Sequence, residues 1–353
     1  MAVIPKNIET DNENEVAILI DNERFRFWKK SDINLSMDSI DSFSFSGPWQ
    51  PEVERYRNIF QPLSFKPVAV YVGGEIIINA LMITVKPSVK SNSRIFSVGG
   101  YSLPGIMNDC PFPHDAYPIE FNSFGLVEIA VASAAYFDID VQFDAEAGDI
   151  FERVAAKPSE KALSFLIKLA KQRNLLVTNT LEGKLLFTQA TSAKSNIFLK
   201  EGETPLLEVD PSYNAQNYFS SITGLSPNQI AKFSESFIVN NSFLPGNDRP
   251  FVFEVSDAIS ADLQRAVNSK AGRMFADAIS VNVTCQGWRD PNGDLWQPNK
   301  IIKLQSDGAM IYNETEFLIK RVKLTREKSD QAVLQLILPE SFQGKIPDTL
   351  PWL

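Results

Sequence analysis

Ile279, Val281, Val283 and Cys285 alternate with Ser280, Asn282 and Thr284, and a two-residue period of this kind fits a half-buried β-strand. Pro291-Asn292-Gly293-Asp294 then supplies the fixed φ and the φ > 0 position of a tight reversal. Trp288 and Trp296 flank that turn, and residues 301–304 resume the strand. On residue chemistry alone this is a hairpin whose two indoles fill the edge of a core.

The beginning of the chain follows the same pattern. Residues 1–14 are polar and acidic, and are expected to be mobile. From residue 15 to about 101 the sequence predicts strands: an apolar run at 16–20, a clean alternation in Ser42-Phe43-Ser44-Phe45-Ser46, and further runs at 67–72, 75–85 and 94–98. Gly73-Gly74 and Gly99-Gly100 are expected as strand turns. Residues 50–65 break the pattern and have the character of an inserted loop. Short strands with regular turns suggest a small antiparallel barrel or sandwich.

Composition changes after residue 104. Residues 107–118 carry Pro111, Pro113 and Pro118 and are expected as a linker loop. A helix is predicted over 155–174, with Ser159 as N-cap and Leu163, Leu166, Ile167 and Ala170 on one face. A hairpin follows at 175–178 and 184–188 around Glu182-Gly183. A second helix is predicted over 258–277, burying Leu263, Ala266, Val267, Ala271, Met274 and Ala278. Its Arg265, Lys270 and Arg273 are either phosphate contacts or a solvated, salt-bridged face. Strand candidates at 301–304, 317–325 and 332–338 repeat in order and spacing those at 67–72, 76–85 and 94–98. The last ten residues, with Pro347 and Pro351, form an extended tail whose Trp352 and Leu353 are free to dock on a partner.

Catalytic machinery is hard to assemble from this inventory. Among 353 residues there is one histidine, His114, and two cysteines, Cys110 and Cys285, in no metal-ligand spacing. Asp138, Asp140, Asp144, Glu146 and Asp149 crowd one segment, which is an acidic loop, a glycosidase-like carboxylate source or a cation site without EF-hand order. No Gly-Lys-Ser/Thr follows the glycine pairs, so they are not phosphate cradles. No metal or cofactor is indicated. The formal charge of −9 argues against a nucleic-acid binder, although acidic walls suit a conduit past which DNA slides. No stretch reaches the ~18 apolar residues a membrane span needs, so no membrane insertion is expected.

The order of these motifs resembles the hub proteins of contractile phage tail baseplates, in the family of the phage Mu P protein. The resemblance rests on an Ala- and Arg-rich helix, then Val281-x-Val283 leading to Gly287-Trp288, then Asp290, Gly293, Leu295, Trp296, Pro298 and Asn299 at the family's spacing. Residues 67–100, 166–176 and 183–187 carry further matching patterns, so the likeness runs from about 67 to 342. It implies a β-rich α+β fold with two similar small antiparallel β-barrel (tube-type) domains, at 15–103 and at 191–225 with 279–342. An α+β module at 104–190 separates them, a further α+β or helical module at 226–278 is inserted, and 343–353 form the tail. It also implies a homotrimer that adapts the sixfold tail tube to a threefold central spike, touches other baseplate proteins, and lets DNA pass without specific binding. Gly287, Trp288, Gly293, Leu295, Trp296, Pro298 and Asn299 would be a structural motif, with no catalytic residues. The classes left beside it are a tail-associated cell-wall or polysaccharide hydrolase, and a β-rich carbohydrate-binding module using exposed Trp288 and Trp296 as stacking platforms.

Overall fold

The computed structural model describes residues 5–226, 235–244, 246, 248–255 and 260–353. The first set of strands comprises β1 (Val16–Ile20) with its short partner β2 (Glu23–Phe25), β3 (Lys30–Ser36), β4 (Ser42–Pro48), β5 (Pro67–Val72), β6 (Glu75–Lys90) and β7 (Ser93–Ser102). Helix α1 (Glu54–Ile59) lies between β4 and β5. Next come α2 (Ile106–Asp109), β8 (Glu120–Phe124), α3 (Leu126–Ala135), β9 (Val141–Phe143), β10 (Phe151–Ala155), α4 (Ala162–Gln172), β11 (Leu176–Asn179) and β12 (Leu185–Thr188). The second set opens with β13 (Lys194–Lys200) and β14 (Leu206–Tyr213). It is interrupted by β15 (Ser221–Ser226), β16 (Glu235–Asn240), β17 (Pro250–Glu254) and α5 (Ser260–Ala278). It resumes with β18 (Ile279–Gln286), β19 (Ile301–Ser306), β20 (Ile311–Arg326) and β21 (Asp330–Ile337), and α6 (Glu340–Gln343) follows.

The two sets share one strand order. The first runs β3-β4-β7-β6-β5-β1 and the second β14-β18-β21-β20-β19-β13, so each reads second, third, sixth, fifth, fourth, first. The correspondence reaches single residues. Leu81 of β6 pairs with Pro67 and Tyr101, and Leu318 of β20 pairs with Ile301 and Ile337. Tyr101 and Ile337 pair with Ser42 and Ser280, which pair with Asn34 and Ser212. Both long strands have 16 residues, and each carries a bulge at the matching place, Ile83 and Lys320. The layout repeated in the sequence at 67–98 and 301–338 is this one. Direction differs once: β1 is antiparallel to β5, whereas β13 is parallel to β19.

One ladder joins the two sets. The C-terminal half of β20 runs past the end of β19, and Arg321 to Arg326 pair antiparallel with Ser36 to Ser31 of β3. Val322, Leu324, Ile33 and Leu35 are buried on one face of it. On the other, Lys323 meets Asp32 at 3.2 Å and Lys30 meets Glu327. Lys320 and Arg321 converge on Asp38 at 3.3 and 3.6 Å. Thirteen strands among the described residues thereby form one hydrogen-bonded sheet system.

The alternation in β18 is realised as read, with Ile279, Val281, Val283 and Cys285 buried and Ser280, Asn282 and Thr284 half-buried. Elsewhere the structure departs from the sequence reading. Gly99-Gly100 is no turn but lies inside β7, because the Ile83 bulge brings the neighbouring backbone so close that a Cβ on Gly100 would fall on the Leu81 carbonyl oxygen. The helix expected from 155 begins at Ala162. Residue 155 ends β10, and Lys157 to Glu160 form a turn closed by the Glu160 carboxylate on the Lys157 N–H. Residues 107–118 are partly helical and anchor Met107 in the core. α3 has no marked helical period in the sequence because Leu126–Ala135 is apolar nearly all round, with Val127 and Val131 exposed. The inserted module starts earlier than 226, since β15 pairs with β16 and β17 and not with the second set. The predicted start of the second helix, at 258, lies outside the described residues.

The N-terminal segment is tied down from Pro5 onward. Tyr71 Oη donates to the Pro5 carbonyl at 2.7 Å, Ile8 N donates to the Gly74 carbonyl at 2.8 Å, and Arg26 pairs with Asp11. The tail folds back in the same way: Tyr312 N donates to the Pro351 carbonyl, and Trp352 packs edge-on against Tyr213 at 4.9 Å.

Among the polar contacts that hold the module of α3, α4 and β8–β12 to its neighbours, two are buried. Arg173, at the C-cap of α4, forms a fully buried ion pair with Asp262 of α5 and lies 4.2 Å over the Phe151 ring. In the second contact, Asp41 in the β3–β4 turn accepts from Ser36 N at 2.8 Å and Asn179 Nδ2 at 3.0 Å. Thr178 Oγ1 donates to the Ser36 carbonyl at 2.7 Å. Complete burial pushes the Asp41 carboxyl up to about 7, and the Ser36 and Asn179 donors only partly offset it.

A raised carboxyl means that the folded state holds a proton the unfolded chain has released, so stability falls as pH rises through the window from about 4 to about 7. Thermal unfolding between pH 4.5 and 8.5 should show the melting temperature dropping across this range. Asp41→Asn, which keeps the shape and cannot ionise, should flatten that part of the profile. An unchanged profile in the variant would remove Asp41 as its cause.

Candidate assembly surfaces

The loop from β18 to β19 is built from the inside. Gly287 (φ +79°) and Gly293 (φ +91°) take left-handed turns where an L side chain is strained. Asp290 is buried, and its Oδ1 accepts from Asn292 N at 2.9 Å and Asp294 N at 3.2 Å, which fixes the reversal. Trp296 N donates to the Trp288 carbonyl at 3.0 Å, pinning the two limbs together. Leu295 is buried and Pro298 leads into Asn299, itself left-handed at φ +60°.

Both indoles are fully buried. Trp288 Nε1 donates to the Thr325 carbonyl at 3.0 Å, and Arg326 lies 4.5 Å over its ring. Trp296 Nε1 has no acceptor among the described residues. A stacking platform needs an exposed face, so these rings cannot serve the carbohydrate-binding reading. The motif works instead as an internal junction. Arg289 Nη2 donates to the Glu13 carbonyl at 2.6 Å, and Gly73 sits directly against the same atoms. Asn299 Oδ1 accepts from Thr191 N at 2.8 Å while its Nδ2 donates to the Gln189 carbonyl at 3.2 Å. One loop thereby touches the N-terminal segment, the first sheet and the connection leaving the β8–β12 module.

The other candidates disperse. His114 sits in a short exposed turn, and Cys110 is free and exposed. Burial pushes the Cys285 thiol up to about 12, the reverse of what a nucleophile needs. Asp144 accepts from Gln142, Asp149 offers its backbone carbonyl to Arg173, and Asp138 turns the chain after α3. Among the described residues no group of three or more His, Cys, Asp or Glu side chains is placed to hold a metal ion. Also among them, no helix is long and apolar enough to cross a membrane.

The basic residues divide. Arg24, Arg26 and Arg55 pair within the chain to Glu15, Asp11 and Glu23. Arg265 lies 3.8 Å from Asp262, whereas Lys270 and Arg273 border a cleft of about 690 Å³ with Lys168, Lys171 and Lys320. Burial, then Arg273, lowers the Lys171 ammonium, with Asp38 opposing and Lys270 and Lys320 adding to the effect. Asp38, Glu254 and Asp277 share the same walls, so the cleft is mixed in sign. Sequence reasoning could not see it, because its cations come from three elements far apart in the chain.

Comparison with known proteins gives two family matches. Residues 104–189 match the second domain of the baseplate hub protein gp44-like family, and residues 259–345 match the fourth domain of the Mu phage baseplate assembly protein GpP. The baseplate hub protein gp44 of Escherichia phage Mu is 22% identical over 334 residues, covering 90% of this chain and 85% of that protein. Two solved structures share the fold. A 43 kDa tail protein of prophage MuSo2 from Shewanella oneidensis superposes with a TM-score of 0.79 at 20% identity, covering 93% of this chain and 99% of the other. A tail protein from Neisseria meningitidis MC58 gives 0.78 at 20% identity, covering 95% and 100%. The resemblance to Mu-like baseplate hub proteins is thus established, and those relatives are structural proteins rather than enzymes.

Removing the whole Trp296 ring should be costly and removing its polar atom alone cheap. Trp296→Ala should lower stability by roughly 3–5 kcal/mol, whereas Trp296→Phe, which deletes an N–H without an acceptor, should lose well under half of that. Trp288→Phe should in addition lose the Thr325 hydrogen bond, at about 1 kcal/mol. Chemical denaturation of the three variants measures this, and equal effects for both Phe variants would contradict the junction described.

Proposed function

We propose that this chain is the structural baseplate hub of a contractile phage, or phage-derived, tail. Its two six-stranded sets are two tube-type β-barrel domains, and three copies form a ring of six similar units. That ring continues the sixfold tail tube on one side, and the trimer seats a threefold central spike on the other. Other baseplate proteins contact its outer modules, and assembly takes place in the host cytoplasm before the hub is locked into the virion.

The observation that carries this reading is the residue-level equivalence of the two strand sets. A chain containing the same unit twice supplies six units from three copies, which is the arithmetic a sixfold-to-threefold adaptor requires. The family matches supply the baseplate setting. The formal charge of −9 suits walls past which DNA moves without the counterion release that would hold it.

Light scattering of the purified protein should give three times the chain mass, and electron microscopy a ring with a central opening. A stable species of any other stoichiometry would overturn the adaptor reading. Double-stranded DNA at physiological salt should bind more weakly than micromolar, and tighter, salt-sensitive binding would replace the conduit with a DNA-binding role.

A further inference from the structure

The ladder between β3 and β20 has a counterpart with both partners missing. By the residue equivalence above, the place that β3 holds in the first set is held by β14 in the second, and the place of β20 is held by β6. Among the described residues β14 pairs on one side only, with β18. The C-terminal half of β6 pairs with β7 and, past Met82, with nothing on its other side among the described residues, because the antiparallel β5 starts only at Pro67, opposite Leu81. Two open edges therefore stand where the internal joint would be repeated between copies. We propose that β14 of one copy pairs antiparallel with residues 84–90 of β6 in the next, resting on the hub reading for the closure of the ring.

The register follows from the internal joint. Arg321 opposite Ser36 and Arg326 opposite Ser31 translate into Thr84 opposite Asn214 and Val89 opposite Val209. Val322, Leu324, Ile33 and Leu35 form the buried face of the existing ladder. Their counterparts are Val85, Pro87, Pro211 and Tyr213, all able to make an apolar face. Val89, on the same face, is 70% exposed in the single chain, far more than a β-strand valine with a neighbour.

Charge gives independent support. The ion pair of Lys323 with Asp32 maps onto Lys86 and Asp210, with the same signs. The pair of Lys30 with Glu327 maps onto Glu208 and Lys90, with the signs exchanged and still complementary. All four residues are exposed, and among the described residues none of them is ion-paired. Complementary charge on both mapped pairs is what a second copy, and no arbitrary partner, requires.

Proline sets the strength of this joint. The bond from Met37 N to the Lys320 carbonyl fixes which rungs are hydrogen-bonded, and it makes Leu324 opposite Ile33 one of them. The counterpart rung is Pro87 opposite Pro211, which gives up both of its hydrogen bonds yet orphans no N–H. A single proline there would leave an N–H in its partner still paired but the other bond lost. Two facing prolines make the inter-copy ladder weaker than the internal one, and they stop either edge from recruiting unrelated strands.

The test uses the full chain with Cys110→Ser, since that thiol is exposed. Thr84→Cys with Asn214→Cys, on a rung without hydrogen bonds, should form disulfides between copies under mild oxidation, and Thr84→Cys with Glu208→Cys should not. Lys86→Glu or Asp210→Lys alone should weaken association by about tenfold or more, and the double exchange should restore it. Circular dichroism should be unchanged throughout, because both side chains are exposed. Association of the unaltered chain with no effect of these changes would overturn the proposed edges and leave the hub reading standing. A chain that stays monomeric and does not cross-link would overturn both, whereas a monomer that cross-links in register would support the edges.

Discussion

Everything in this molecule is arranged around one antiparallel ladder, in which Arg321 to Arg326 lie against Ser36 to Ser31. It is the only place where the two strand sets exchange backbone hydrogen bonds among the described residues. Its inner side chains belong to the same continuous core, and its outer ones set register with Lys323–Asp32 and the two cations on Asp38. A one-residue slip would turn Val322 and Leu324 to solvent and separate each of those charges from its partner. The relative placement of the halves, and so the shape of any ring built from them, is set here rather than by a flexible linker.

The module of α3, α4 and β8–β12 is held differently, whereas α5 packs into the core of the sheets. The core around Leu126, Ile129, Phe165 and Leu166 is separate from that of the sheets, and its attachment combines buried polar groups, Asp41 with Asn179 and Arg173 with Asp262, with an apolar cluster in which Leu176 packs with Met37, Ile301, Leu318 and Ile337. Buried polar contacts of this kind contribute less to net stability than to a unique docking geometry, because a misplaced partner leaves a desolvated charge. The β18–β19 loop adds a third attachment, with Asn299 and Arg289 reaching the chain more than a hundred residues away.

Much of this was legible in the sequence where a period was present. The alternation of β18 and the repeated order at the two ends followed from side-chain spacing, and the hairpin around Glu182-Gly183 from its turn residues. The Gly-Trp and Leu-Trp-x-Pro-Asn motif pointed to the family, but spacing could not say whether the indoles faced solvent or core. Burial is decided by strands remote in sequence, here the Thr325 carbonyl and the Arg326 guanidinium. α3 was invisible because an almost wholly apolar helix has no polar face to mark its turns. Gly99-Gly100 misled for a related reason: glycine signals a turn and a close backbone approach equally, and only the Ile83 bulge distinguishes them.

The same ladder has a consequence for synthesis. β3 lies near the start of the chain and its partner on β20 near the end, so the first sheet can be complete while almost the whole second set is still inside or beyond the ribosome. Throughout that interval the β3 edge, with Ile33 and Leu35 uncovered, is open to any passing strand. A chain that ends prematurely, before Ile311, keeps that edge exposed for good, and quality control by chaperones or proteases would meet it as an unfinished product. β20 thus acts as a late seal on an edge that β3 leaves open while the chain between them is made.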